Sequence, residues 1–373
     1  MAKVLFISND PSIFVEDSAA RSRMYVYAAK IGELHIVSPA PCGARESHEG
    51  ALHLYPVRAP RLLRILALRI RARRVVSHFG IEVVSAQDPF ELGLAALNAQ
   101  RGTTAVLHIQ VHTDFLSPWF TRSGSWKMNL LNRLRVRAAG RVLRRARGVR
   151  VVSERIKKSI LDTYGGAVRE PSVIPVAVEA QAPAPSPLPA HPFKFALLCV
   201  GRLEPEKRVE DILQALALVR RDYRSIGLFI AGAGRARSAL EARAKALGLS
   251  GSVVFFGNRP DARALMGSAQ AFIQASAYEG YGRTLIEAAL AGVPIITTEV
   301  GIVGEVLHAG AEALVAPVGA PQELAKRIAM LIADNHARLT LTIAAKQAVE
   351  AHLRAEGDLA ARIADDLNEC LGL

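Results

Sequence analysis

FALLCVGRLEPEKRVEDILQAL (195–216) holds an uncharged run, a Gly-Arg turn and an amphipathic segment in direct succession. The run suits a buried β-strand, and the segment after it suits a helix opening near Lys207. The same alternation continues downstream with IGLFIAG (226–232), a helix over 235–247, SVVFFG (252–257), AFIQAS (271–276), a helix from about Arg283 and VPIITT (293–298). Upstream it appears as KVLFIS (3–8), a helix from about Ser18 to Lys30, LHIVS (34–38), IEVVSA (81–86), the helix PFELGLAALNA, AVLHIQ (105–110) and VRVVS (149–153) leading into ERIKKSILDTY. Short apolar runs alternating with longer helices indicate βαβ units and parallel sheets.

Between the two series lies AQAPAPSPLPAHP (180–192), whose five prolines suit neither a helix interior nor a central strand. The chain therefore divides into an N-terminal domain (1–179), an extended linker (180–192) and a C-terminal domain (193–373). Its last helix (about 355–371) is a candidate to cross back to the first domain. Both domains are doubly wound α/β, and ligands in such sheets bind beyond the carboxyl ends of the strands. The cleft between the domains is the natural place for a site.

Composition limits the alternatives. The chain has 373 residues, half of them hydrophobic and 22% charged, which excludes disorder, collagen and coiled coil. The net charge of +13 is unevenly spread: residues 1–190 carry 27 basic and 14 acidic residues, residues 191–373 twenty of each. An anionic partner would therefore meet the first half. Three scattered cysteines fit a reducing compartment, and no apolar stretch approaches the ~18 residues of a membrane span. The opening MAKVLFISND reads as a first strand rather than a signal peptide. The expected location is the cytoplasm, peripherally on the inner face of the membrane.

ASAYEGYGRTLIEAALAGVPIITTEVGIVGEV (275–306) carries the chemistry. Glu279 falls on a strand-to-helix loop and Glu287 a little over one turn into the helix, turned toward the same cleft. Gly280 and Gly282 let backbone approach a ligand, and the amides of Arg283, Thr284 and Leu285 form an anion site at a helix N-terminus. Carboxylates that read hydroxyls beside amides that hold phosphate suit a nucleotide-sugar. The plainer reading is two solvated glutamates and two turn glycines. Arg202 and Lys207, at the carboxyl end of the strand 195–200, supply cations suited to a diphosphate. By themselves they read more readily as surface partners of Glu204 or Glu206.

Together GRLEPEK (201–207), GNRPDARALMGSAQAFIQAS (257–276), EGYGRTLIEAALAGVPIITT (279–298) and Gly304-Glu305 resemble glycosyltransferase family 4, retaining enzymes with the GT-B fold. The resemblance covers 195–333. It implies that Glu279 contacts the transferred sugar, that Glu287 holds the ribose hydroxyls, and that Arg202 and Lys207 hold the diphosphate. It also implies donor contacts from Gly201, Gly280, Tyr281, Gly282, Arg283, Thr284 and Leu285. The segment FFGNRP (255–260), with Asn258 and Arg259, would meet the nucleobase of a UDP- or GDP-linked donor. In the first half, IQVHTDFLSPWF (109–120) places His112 where family members commonly carry a histidine reaching the sugar or acceptor. Two departures stand out. Val176-Ala177 replaces the usual Asn-Gly, and the first loop (8–23) lacks the glycines that approach the donor phosphate, leaving Arg21 or Arg23 to supply contacts.

No Asp-x-Asp or cluster of hard oxygen ligands occurs, so neither a metal nor another cofactor is expected. GAGRAR (232–237) lacks the third glycine of a dinucleotide fingerprint. The basic segments 61–79 and 130–150 interleave Leu, Ile and Val with arginine, and no acid lies between Asp114 and Glu154. Such segments suit anionic lipid as well as packing on a sheet. Aromatics are too few (6%) for a nucleic-acid stacking platform. The expected activity is transfer of a hexose from a nucleotide-sugar to a saccharide or lipid-linked acceptor in cell-envelope polysaccharide or glycolipid synthesis. The alternatives are another GT-B reaction, such as epimerisation, and a basic binding module without catalysis.

Overall fold

The computed structural model describes residues 2–122 and 124–372. In chain order its strands and helices are β1 (Ala2–Ile7), α1 (Ala19–Ile31), β2 (Gly32–Pro39), β3 (Ser47–Glu49), β4 (Leu52–Val57), α2 (Arg64–Phe79), β5 (Val83–Ala86), α3 (Glu91–Ala99), β6 (Val106–Val111), α4 (Trp126–Leu143), β7 (Gly148–Val151), α5 (Glu154–Tyr164) and β8 (Ser172–Val173). After a stretch without regular structure come β9 (Phe195–Val200), α6 (Val209–Val219), β10 (Ile226–Ala231), α7 (Arg237–Ala246), β11 (Val253–Gly257), α8 (Ala262–Met266), β12 (Ala271–Ile273), α9 (Arg283–Leu290), β13 (Ile295–Thr298), β14 (Leu314–Ala316), α10 (Pro321–Ala333), α11 (Asn335–Glu356) and α12 (Leu359–Glu369).

Two compact units result. Unit 1 comprises residues 1–116, 130–175 and 358–373, and unit 2 comprises residues 117–129 and 176–357. Unit 1 is built on an eight-stranded sheet ordered β3-β4-β2-β1-β5-β6-β7-β8, parallel except for the β3–β4 hairpin. Strands β1, β5 and β7 are buried on both faces. That is why they read as unbroken apolar runs rather than alternating ones. α12 packs along α1, where Ile363, Ala364 and Leu367 join Phe6, Met24, Ile31 and Ile36 in one core. Lys30 pairs with Asp358 at 2.9 Å, and Asp358 also caps α12 by accepting from the amides of Ala360 and Ala361.

Unit 2 holds a six-stranded parallel sheet ordered β11-β10-β9-β12-β13-β14. Its order reverses between β9 and β12, so the loops leaving those two strands diverge and open a crevice at their carboxyl ends. The proline-rich segment has neither helix nor strand. It lies against α8: the Ser186 amide donates to Ala264 O, and Ser268 Oγ donates to Ser186 O at 2.8 Å.

Two helices differ from their sequence boundaries. The helix after β9 begins at Val209 rather than Lys207, because Pro205–Lys207 forms a tight 3-10 turn and Arg208 adopts a left-handed backbone (φ 47°). Its guanidinium holds the Asp211 carboxylate at 2.6 and 3.0 Å and lies 5.3 Å from the Trp119 ring, which fixes that unusual residue. The basic stretch 130–150 is not one helix: α4 stops at Leu143, and Arg150 lies inside β7. Arg150 is 3% exposed and donates to Ile174 O, Pro175 O and Gln110 Oε1. It belongs to the interior of unit 1 and presents no charge to a membrane.

Candidate active site

The crevice of unit 2 gathers two loops from opposite sides of the strand-order reversal. The first, after β9, is held down by the amides of Gly201 and Leu203, which donate to Ala231 O and Ala233 O. Gly232 must be glycine here: a Cβ on it would sit 1.8 Å from Gly201 O. This close approach gives GAGRAR a structural role, with no dinucleotide needed to account for its glycines. The second loop, after β12, is tied to the first by the Ala277 amide, which donates to Glu206 O at 2.7 Å. Lys207 Nζ then meets Glu279 Oε1 at 2.5 Å, and Ser276 Oγ donates to the same oxygen at 2.7 Å. The lysine and glutamate are each mostly covered, at 20% and 14% exposure. An ion pair so shielded from water is stronger than an open surface pair.

Gly282 ends this loop in the left-handed region (φ 86°) and starts α9 with no side chain capping its first turn. The amide of Leu285 is not among the open donors, since it bonds to Gly282 O at 2.8 Å. That leaves Arg283 and Thr284 at the mouth of the helix. Thr284 Oγ1 donates to Gln274 Oε1 at 2.7 Å. From one turn further in, Glu287 faces α9's own start: it is 6% exposed and accepts from Arg283 Nε at 2.9 Å, with Arg263 Nε at 3.7 Å. Glu287 is a buried, paired carboxylate rather than a solvated one.

Other sequence candidates lie apart from this pair. Arg202 is 73% exposed and pairs with Glu206 at 3.4 Å. The Tyr281 ring is buried, and its hydroxyl bonds to His352 Nε2 on α11 at 2.8 Å. Burial, then Glu356 and Glu305, push that phenol above its ordinary range. The Tyr281 carbonyl accepts from the Ile302 amide, so the GIVGE segment braces the EGYG loop. Arg259 forks onto Asp261 and lies 5.3 Å from the Phe256 ring, and Asn258 is exposed.

In unit 1, His112 follows β6 directly. Arg150 Nη1 donates to Gln110 Oε1, which identifies that atom as the oxygen. His112 Nε2, 3.3 Å from the same oxygen, therefore carries the proton and leaves Nδ1 as acceptor. His112's own surface is only partly covered, yet the surroundings desolvate it and Arg150 repels its proton, so its pKa falls to about 3. Gln110 Nε2 donates to Ser85 Oγ, which bonds to His108 Nδ1, and His108 Nε2 bonds to Asp366 Oδ2 on α12 at 2.9 Å. The sequence reading missed this chain, although His108 and Gln110 share one face of β6 at the strand period of two and His112 follows at the same spacing. The first loop of unit 1 forms a 3-10 turn at Pro11–Phe14, and Arg21 pairs with Glu49 instead of standing ready for a phosphate.

Comparison with known proteins completes the description. Residues 188–348 match the model for glycosyl transferases group 1, and residues 27–182 match the model for glycosyltransferase family 4. The chain is a family 4 glycosyltransferase. It is 29% identical over 191 residues to glycogen synthase of Mycobacterium tuberculosis, covering 51% of this chain and 46% of that protein. It is 28% identical over 204 residues to the 2-deoxystreptamine glucosyltransferase of Streptomyces kanamyceticus, covering 52% and 53%. The glycosyltransferase thus spans about half the length of the curated relatives it matches. Its fold is of the GT-B type. It is similar to sucrose-phosphate synthase from Thermosynechococcus elongatus, with a TM-score of 0.82, 17% identity and full coverage of both chains. It is also similar to Anabaena HepE in complex with UDP and glucose, with a TM-score of 0.75, 20% identity and coverage of 99% and 100%.

Proposed function

We propose that this glycosyltransferase moves a hexose from a nucleoside-diphosphate-sugar to a saccharide or lipid-linked saccharide, with retention of anomeric configuration and without a metal. The Lys207–Glu279 pair carries the reading. It joins the loops that leave β9 and β12 at the strand-order reversal of unit 2; exposed Arg202 is on the first loop, and the uncapped start of α9 follows the second. When a donor enters, its diphosphate competes with Glu279 for Lys207 and takes Arg202 and the amides of Arg283 and Thr284. Glu279, so released, accepts hydrogen bonds from the hydroxyls of the transferred sugar. Glu287, one turn behind, is placed for the ribose. The bond from the anomeric carbon to the phosphate oxygen breaks while the acceptor oxygen bonds to the same face, and the acceptor's proton passes to the departing phosphate oxygen. The residues contribute position and charge stabilisation. The similarity to an Anabaena protein bound to UDP and glucose supports a UDP-linked donor, with GDP the second choice.

In unit 1, neutral His112 offers a hydrogen-bonding group for an acceptor hydroxyl. In the turn before α2 and along the helix, Leu62, Leu63, Leu66 and Ile70 are exposed, as are Arg61, Arg69, Arg73 and Arg74. This apolar and cationic mixture suits peripheral binding to anionic membrane on the cytoplasmic side. No helix among the described residues is long and apolar enough to cross a membrane. The deciding assay offers a panel of UDP- and GDP-sugars with saccharide and lipid-linked acceptors, and reads the anomeric configuration of the product by NMR. A retained configuration supports the proposal. An inverted one, or turnover of donor to an epimer without transfer, overturns it.

A further inference from the structure

Unit 1 carries a second cluster of chemically competent side chains, on the outer strands of its sheet. In the parallel register of β2 and β4, His35 lies opposite His53, and in the antiparallel register of β3 and β4, His48 lies opposite the same His53. Glu33 precedes His35 by two residues and so shares its face of β2. The result is a row of imidazoles across three adjacent strands with a carboxylate at one side.

The ligand atoms of Glu33, His35 and His53 lie within 4.8 Å of one another. His35 Nε2 is 2.9 Å and His53 Nε2 4.0 Å from Glu33 Oε1. The far nitrogen of each imidazole is already held. His35 Nδ1 bonds to Tyr55 OH at 2.9 Å, and His53 Nδ1 meets His48 Nδ1 at 2.9 Å. These contacts hold the ring orientations and leave both Nε2 atoms directed at Glu33. That is the support metal-ligating histidines ordinarily have behind them. Lys3 Nζ, 3.2 Å from Glu33 Oε2, occupies the other carboxylate oxygen and is the cation facing the cluster. His35 is fully buried while Glu33 and His53 are partly exposed, so the open side faces solvent.

The geometry points to a binding site for a divalent transition ion of the zinc class, held by His35 Nε2, His53 Nε2 and Glu33 Oε1, with water in the fourth position. Imidazole and carboxylate are the ligand types such an ion takes, and two histidines with one glutamate form an open three-ligand set. For Nε2 to ligate, the His35 ring proton moves to Nδ1 and donates to Tyr55 OH, which leaves a lone pair on Nε2 for the ion in place of the contact with Glu33. Tetrahedral bonds of ~2.1 Å bring ligand atoms to about 3.4 Å apart, so Glu33 opens slightly from His35 while His53 closes in. Bound there, the ion fastens the β3–β4 hairpin to β2 and stiffens the outer edge of the sheet. The site belongs to unit 1, and none of its ligands is among the residues proposed for the transfer reaction.

The test uses the full-length chain without a histidine tag, stripped by a chelator and titrated with Zn²⁺ against a chromophoric competitor. One ion per chain is expected, with a rise in melting temperature, and Co²⁺ should give the intense visible absorption of a tetrahedral site. His53→Gln should lower Zn²⁺ affinity by more than about tenfold. Exposed His48→Gln keeps all three ligands and disturbs only the ring behind them, so it should cost roughly ten- to a hundredfold without unfolding the protein. Absence of stoichiometric Zn²⁺ binding would overturn the proposal, as would wild-type affinity in both variants.

Discussion

Lys207 and Glu279 are 72 residues apart in the chain and 2.5 Å apart in space, joined across the point where the strand order of unit 2 reverses. Each side of the pair is fixed separately: Lys207 by the turn at Pro205–Lys207, Glu279 by Ser276 Oγ. On the proposed function the two groups meet a ligand that carries both negative charge and hydroxyls.

Glu279→Gln and Arg202→Ala should each lower kcat/KM by roughly ten- to a hundredfold, the loss expected for one charge-assisted contact of about 1.5–3 kcal/mol. Circular dichroism and melting temperature should stay near wild type for the exposed Arg202. Steady-state kinetics on a transferring donor and acceptor pair provide the check, and undiminished turnover in both variants would remove these residues from the site.

Turnover should not depend on magnesium. On the proposed mechanism, Lys207, Arg202 and the first turn of α9 supply the positive charge that a cation would otherwise bring to the diphosphate. Assays in excess EDTA, below the melting transition, should match assays with added Mg²⁺. Activity lost to EDTA and recovered with Mg²⁺ would contradict this.

His112 should contribute no limb to the pH–rate profile between pH 5 and 8. Its ordinary value of 6.5 is pushed down to about 3, so the ring stays neutral across that whole interval. Protonation would begin to matter only as pH falls toward 3. A kcat/KM limb near pH 6.5 that vanishes in His112→Gln would show that the ring titrates normally.

Asp366→Ala should destabilise the protein by about 3 kcal/mol, because it leaves buried His108 without its acceptor. Burial works to raise the Asp366 carboxyl, but the His108 hydrogen bond and charge, with help from Ser172 and Arg150, hold it below its ordinary value. A lowered folded value means stability that is present above the unfolded carboxylate pKa and lost as pH falls through the folded one. Denaturant melts from pH 7 down to pH 3 should show this acid loss in the native protein and less of it in the variant.

Vesicle flotation should recover the protein with anionic lipid at low salt and release it at high salt, since each engaged arginine contributes on the order of 1 kcal/mol within a Debye length. Substituting Leu62, Leu66 and Ile70 with Ser should weaken recovery. Equal recovery on neutral vesicles would show that the charge plays no part.

The alternating architecture was legible because strands buried on both faces leave long apolar runs, and Glu279, Lys207 and Gly282 were legible because loops at strand ends concentrate charge and glycine. Burial of individual charges was not. Arg150 looks like the last of a basic series, and only the carbonyls of Ile174 and Pro175, some 25 residues on, turn it inward. Tyr281 sits inside the most informative motif, yet its ring is claimed by His352 on a distant helix. The histidine row was invisible for a related reason. His35, His48 and His53 become neighbours only through strand register, and β3, three residues long and polar, carries no hydrophobic period to announce that it pairs.

The return of α12 to unit 1 has a consequence for biosynthesis. A ribosome makes residues 1–175 early, then the stretch 176–357 of unit 2, and only then residues 358–373, which return to unit 1. Until those emerge, the α1 surface that receives Ile363 and Leu367 is uncovered, and His108 has no carboxylate to meet. Nascent unit 1 therefore waits, with greasy surface open to chaperones, for a segment translated after its neighbour. Chains that terminate near Gly357 would keep every residue of the Lys207–Glu279 centre and still be cleared by quality control.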